Sequence, residues 1–153
     1  MQDRFRYRVF DNDDRKMHDV IFLNYENNSV EWYNDNNKKR AAFIGEVPTL
    51  QCTGLMDKNG REIYDGDILN LYVSSKKLYR YQVKYEIGSF MLVSQDEIFD
   101  FKNVWNDNVY PLSQLYFEYQ NEENCIDQCE VVGNIYENPE LLEFGVLEWK
   151  DLM

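Results

Sequence analysis

A chain of 153 residues, 44% of them hydrophobic, is long enough for one domain with a real core and for two small lobes at most. Aromatics reach 16%, as 12 Tyr, 9 Phe and 3 Trp, which favours pleated, half-buried surfaces and so a β-rich chain. The net charge of −12 repels phosphate, which disfavours nucleic-acid binding by the surface as a whole, and no run is long and apolar enough to span a membrane.

Phe5, Tyr7 and Val9 alternate with Arg4, Arg6, Arg8 and Phe10, the period of a strand. Asp11-Asn12-Asp13-Asp14 is a turn, followed by a second strand from Met17 to Asn24. Asn27-Asn28 turns the chain into a third strand, Val30 to Tyr33. The polar run Asn34 to Arg40 reads as a loop, and Leu50-Gln51-Cys52-Thr53 as a short strand.

The stretch 52–69 holds most of the local information. Asn59-Gly60 is a hairpin signal of type I′, which needs positive φ twice, and Asp57 is placed to close an Asx-turn. Asp65-Gly66-Asp67 makes a second turn before the apolar run Ile68 to Val73. Asp57, Asn59 and Asp67 are oxygen ligands by type. However, the calcium-loop pattern fails at its third ligand, and Ile68 stands where it needs a bidentate Glu. No metal and no cofactor are expected, and the acids are read as turn chemistry.

Between Asp67 and Glu86 there are no acids, and Lys76, Lys77, Arg80 and Lys84 interleave with Tyr72, Tyr79, Tyr81 and Tyr85. Bases beside aromatics suit single-stranded nucleic acid. The plainer reading is a hairpin turning at Ser74-Ser75-Lys76-Lys77, with edge lysines that oppose aggregation. Tyr79 to Tyr85 and Ser89 to Val93 form a further hairpin around Gly88. Ser94-Gln95-Asp96-Glu97 is a capping box for a short helix to about Val104. Residues Tyr116 to Asp127 read as a loop, or as an extension of the segment at Pro111. Glu130 to Tyr136 is a strand that leads into a helix at Asn138-Pro139-Glu140.

From Glu118 onward ten acidic residues face one base, Lys150. This is either a solvated face or a surface for a basic partner. The three cysteines, an odd number without an apolar leader, point to reduced thiols in a cytoplasm. Cys125 and Cys129 lack the further ligands of a zinc site. The single histidine, His18, reads as solvated, and no nucleophile elbow, phosphate loop or zinc-protease helix is present. No catalytic residue is assigned.

Three stretches resemble the YopX-like family of small phage and prophage proteins. They are Phe5 to Asp11 with Lys16-Met17, the run Gln51 to Leu69, and Glu130 to Leu142. The residues that carry the resemblance are Thr53, Gly54, Asp57, Asn59, Gly60, Ile63, Tyr64, Gly66 and Asp67, and later Gly133, Asn134, Tyr136 and Pro139. Cys52 replaces an aromatic often seen before the Thr-Gly pair. The resemblance implies a mostly β protein of Gram-positive phages, acting in the host cytoplasm, and no established activity.

The expectation is a mainly β fold, α+β by count, with hairpins around an SH3-like, partly open barrel and one or two short helices. It forms one domain over 1–153, with an N-terminal β lobe at 1–50, a barrel-like part at 51–142 and a tail at 143–153. Function divides three ways. The leading reading is a non-enzymatic interaction module that binds a protein partner or a second copy through the turn-rich edge near Tyr64 and Tyr72 to Tyr85. The second is an acidic mimic that binds a host DNA-binding protein through 118–151. The third is nucleic-acid binding through Lys76, Lys77, Arg80 and Lys84.

Overall fold

In the computed structural model, which describes residues 5–74, 77–86, 88–94, 109–120, 123–143 and 146–148, the opening alternation becomes strand β1 (Tyr7–Asp11). The next strands are β2 (Lys16–Asn24), β3 (Ser29–Tyr33), β4 (Lys39–Phe43), β5 (Thr49–Met56) and β6 (Glu62–Tyr64). They form an antiparallel sheet in the order β4-β3-β2-β1-β5-β6. Each early connection is closed by a side chain. Asp11 Oδ1 accepts from the Asp13 and Asp14 amides, and Asn24 Oδ1 accepts from those of Glu26 and Asn27. Such local bonds make short polar residues good turn formers.

The second sheet holds β7 (Asp67–Ser74), β8 (Lys77–Glu86), β9 (Ser89–Val93), β10 (Val109–Pro111) and β11 (Cys129–Asn134), in the order β10-β9-β8-β7-β11. A last strand, β12 (Val146–Glu148), pairs with the start of β8. The only α-helix among the described residues, α1 (Leu112–Tyr119), packs on β9 and β10 through Leu112 and Leu115. The main core lies between α1 and the second sheet, with Ile63 of the first sheet inserted among Leu69, Tyr81, Leu92 and Ile126. A smaller core, Val9, Val30 and Trp32, stabilises the outer half of the first sheet.

The mainly β expectation is what the structure has, but its strands make two open sheets and no closed barrel among the described residues. Four local expectations are corrected. The loop expected over Asn34 to Arg40 is shorter: Asn34 Oδ1 accepts from the Asn36 and Lys38 amides, so Lys39 already opposes Tyr33 and β4 begins. The turn at Asn59-Gly60 is not type I′, because only Gly60 has positive φ, at 78°. Its amide donates to the Asp57 carbonyl at 3.0 Å, a type I turn followed by a left-handed glycine. The loop expected from Tyr116 is helical as far as Tyr119, so these residues follow the alternative reading, an extension of the segment at Pro111. Its sequence has no capping side chain and many aromatics, so local signals point away from helix, and burial of two leucines decides it. The element at Pro139–Glu143 is a 3-10 helix. Asn138 does not cap it, since its Oδ1 accepts from the Asn134 amide at 3.3 Å. The helix expected from Ser94 to Val104 and the turn at Ser75-Lys76 lie outside the described residues.

Candidate functional site

The residues of the 53–67 run are held by three buried or half-buried acids. Asp57 is 1% exposed. Its Oδ1 accepts from the Asn59 and Arg61 amides, and its Oδ2 from the Val131 amide, each at 2.9 Å. One carboxylate thus closes its own turn and fastens it to β11, 74 residues along the chain. Asp67 is fully buried; its Oδ2 accepts from the Tyr64 amide at 2.8 Å and its Oδ1 from Arg8 at 2.5 Å. Burial pushes the Asp67 carboxyl above its ordinary range, and the Arg8 guanidinium and Tyr64 amide oppose that push. Arg8 lies 4.0 Å from the centre of the Tyr64 ring, and its Nε is buried without a hydrogen-bond partner. Asp65, raised by burial, accepts from the Tyr85 amide at 3.3 Å.

The later motif residues complete the same seam. The Gly66 amide donates to the Val83 carbonyl, and its own carbonyl accepts from Ile135. Gly66 has a φ of 86°, which only glycine adopts freely. Asn134 Oδ1 accepts from the Tyr136 and Glu137 amides, and Tyr136 stacks on Phe10 of β1 at 5.3 Å. Gly133 is closely packed: a Cβ there would meet Asn138 Oδ1 at 2.5 Å, so the Asn138 side chain would have to shift. Thr53 Oγ1 accepts from the Leu55 amide, Gly54 sits at the irregularity of β5, Ile63 is core, and Pro139 opens the 3-10 turn. These residues join two sheets; their polar atoms serve the fold.

Residues 6–143 match the YopX protein family. The chain belongs to that family. Two solved structures are similar to this one. Protein EF1440 from Enterococcus faecalis is 24% identical, with 90% of this chain and 96% of that one aligned and a TM-score of 0.51. Protein yopX from Bacillus subtilis is 18% identical, with coverage of 92% and 99% and a TM-score of 0.48. The curated proteins give no match.

The sequence also marks a basic, aromatic strand, which the YopX-family fold splits between two environments. Tyr81 is core and Tyr79 packs beside it. Arg80, 8% exposed, donates from Nε to Asn70 Oδ1 at 2.8 Å and from Nη1 to the Leu141 carbonyl at 3.1 Å. Tyr72 donates to Glu130 at 2.9 Å, and Lys58 lies over its ring. Lys84 is exposed and faces Glu86 at 3.5 Å. Lys76 and the Lys77 side chain lie outside the described residues. The strand therefore offers no continuous row of bases and rings among the described residues.

A cluster not visible in the sequence joins Asp11, Asp14 and His18, whose ligand atoms lie within 4.8 Å of one another. His18 is not solvated: its side chain is 13% exposed and its Nε2 is 2.7 Å from Asp14 Oδ2. These carboxylates have further partners. Asp11 Oδ2 accepts from Trp32 Nε1 at 2.9 Å, and Asp14 Oδ2 accepts from the Asp35 amide at 3.0 Å. Burial raises the Asp11 carboxyl, yet the donors from Trp32, Asp13 and Asp14 outweigh it and hold the group below its ordinary value. The cluster is fully used in tying the β1–β2 turn to β3 and its loop.

What the seam leaves open is a cleft of about 460 Å³ between the two sheets. Gln51, Thr53 and Leu55 of β5 form its floor. Tyr85 and Phe90, opposed in register and 5.1 Å apart, make one wall with Ser89. Phe5, 70% exposed, makes the other, and Leu112 and Ser113 of α1 close the end. A smaller cleft of about 230 Å³ shares Phe5 and runs between the start of β1 and β2, past Tyr7, Ile21 and Phe22. Sequence reasoning places Phe5 in a strand, where period-2 alternation assigns a face but cannot say whether another layer covers it.

Proposed function

We propose that this YopX-family chain is a non-enzymatic protein-interaction module of phage or prophage origin that acts in the cytoplasm. The observation that carries this reading is the Phe5-centred surface. Phe5, Ile21, Phe22 and Tyr85 are each about half exposed or more, and all line the two adjoining clefts. Large apolar side chains grouped at clefts mark association surfaces more often than scattered ones do. The motif acids support the same reading from the other side, since Asp57 and Asp67 are buried in backbone and arginine bonds rather than aimed at a substrate.

The other two readings have less support. Within the acidic stretch, Glu130 is bound by Tyr72 and faces Lys58, and Glu137 is bound by Asn134. A charge mimic needs such groups directed at a partner. Stacking on nucleic acid needs exposed rings, and Tyr81 is 3% exposed.

Native mass spectrometry of the purified chain, together with pull-down from phage-infected cells, tests the proposal. A homo-oligomer or a defined complex is expected, and Phe5→Ser with Phe22→Ser should dissociate it. A monomer with no specific partner would refute the reading.

A further inference from the structure

We infer that the larger cleft is a docking site for an uncharged, extended peptide segment that inserts an apolar side chain between Phe5, Tyr85 and Phe90. This rests on the interaction-module reading and names the chemistry of the partner. Among the described residues, no Lys, Arg, Asp, Glu or His lines the cleft. A charged segment would lose water there with no opposite charge to meet. The occupant is therefore neutral.

The polar groups are side-chain amides and hydroxyls. Gln51 and Thr53 project from one face of β5, with Ser89 and Ser113 across from them. The Ser89 and Ser113 hydroxyls both donate and accept, and the Thr53 hydroxyl, whose oxygen serves the Leu55 amide, can still donate, which suits a peptide backbone with one donor and one acceptor per residue. The Tyr85 and Phe90 rings meet edge to face at 65°, so they form a pocket corner for a side chain rather than a flat platform for a sugar ring.

The second cleft extends the same site. Gln51 and Tyr7 are register partners, so the clefts adjoin across β1 with Phe5 as the shared wall. Its two charged lining residues, Arg6 and Asp19, face each other at 4.0 Å, and Arg6 also bonds Glu62 at 3.0 Å. From β5 to β2 is two strand spacings, about 10 Å, which a peptide extended in the polyproline II conformation covers in about three residues, one full turn, so that positions i and i+3 face the same side. The predicted ligand carries apolar side chains at positions i and i+3.

The test is an amide-resolved NMR titration of the full chain with blocked acetyl-Leu-Ser-Gly-Phe-amide. Acetyl-Lys-Ser-Gly-Lys-amide and methyl β-glucoside serve as comparison probes. The apolar peptide should bind at roughly millimolar Kd, as expected for a fragment of this size, with saturable shifts at Thr53, Leu55, Ser89 and Phe90. Thr53→Trp and, independently, Ser89→Trp should fill the cleft and abolish those shifts. Phe5→Ser, an exposed change that spares the core, should weaken binding about tenfold. The inference is overturned by no saturable shift, by equal binding of the lysine peptide, by shifts that survive both filling variants, or by the glucoside taking the site instead. If the peptide fails while native mass spectrometry still shows a complex insensitive to Thr53→Trp, the cleft assignment falls and the module reading stands. If no complex is seen either, both fall.

Discussion

Replacing Asp57 by Ala is the most direct test of how this fold is held together. The carboxylate accepts three backbone amides at 2.9 Å. The three losses are unequal. Asn59 and Arg61 are exposed, so their amides regain water, and each lost bond costs about 0.5–1 kcal/mol. Val131 is 4% exposed, and its amide is left buried without an acceptor, a cost of about 2–3 kcal/mol. The sum is about 3–5 kcal/mol, a large share of the roughly 5–15 kcal/mol that stabilises a typical domain. For a chain of this size it corresponds to a fall in Tm of about 10 °C. Urea unfolding followed by circular dichroism measures it, and the m-value should stay constant. Asp57→Asn should cost less, about 2 kcal/mol, because its oxygen can still serve the turn while its NH2 faces the Val131 amide. Amide exchange at Val131 should accelerate in both variants. A loss below about 1 kcal/mol for Asp57→Ala, with Val131 still protected, would refute the clamp.

Arg8→Met should cost about 3–5 kcal/mol by leaving the buried Asp67 charge without its partner; adding Asp67→Asn should restore most of it in the same urea assay. Gly133→Ala should destabilise by about 1–3 kcal/mol through the 2.5 Å clash with Asn138 Oδ1. Combining it with Asn138→Ala should cost less than the two changes added together, which a double-mutant cycle reads. The Asp11 carboxyl is depressed in the folded state, so its stabilisation is complete above its ordinary value of 3.8 and is lost as pH falls through the lower folded pKa. Unfolding free energies from pH 6 to pH 2, with the Trp32 indole N–H followed by NMR, should show that loss in the wild type and a flatter profile in Asp11→Asn.

The turns were legible because their causes are local. Asp11, Asn24 and Asp57 each bind amides two residues on, and such bonds depend on nothing outside the segment. Strand existence was legible for the same reason, since alternation at Phe5 to Phe10 and at Leu78 to Tyr85 is a property of neighbours. The family, too, follows from the residues themselves. Helix α1 was not legible: its eight residues lack a cap, and the second sheet provides the burial that stabilises it. Arg80 shows the same limit. Alternation places it opposite Tyr79 and Tyr81, and a solvated strand face is the natural reading. Asn70 on the neighbouring strand and the Leu141 carbonyl, 61 residues away, turn that face inward.

The acids of the 52–69 stretch mark the boundary most clearly. Position counting alone shows that they lack the spacing of a calcium loop, and it identifies them as turn formers. It cannot show that Asp57 reaches β11 or that Asp67 meets Arg8, because each of those bonds spans more than fifty residues of chain. The cleft walled by Phe5 is likewise a product of two sheets meeting. Sequence determined where most turns and strands lie, which rests on short-range geometry, and it determined the family. Tertiary structure alone decided which polar atoms are buried and which aromatic rings remain exposed, because burial is a property of the surfaces that the packed sheets leave in contact with water.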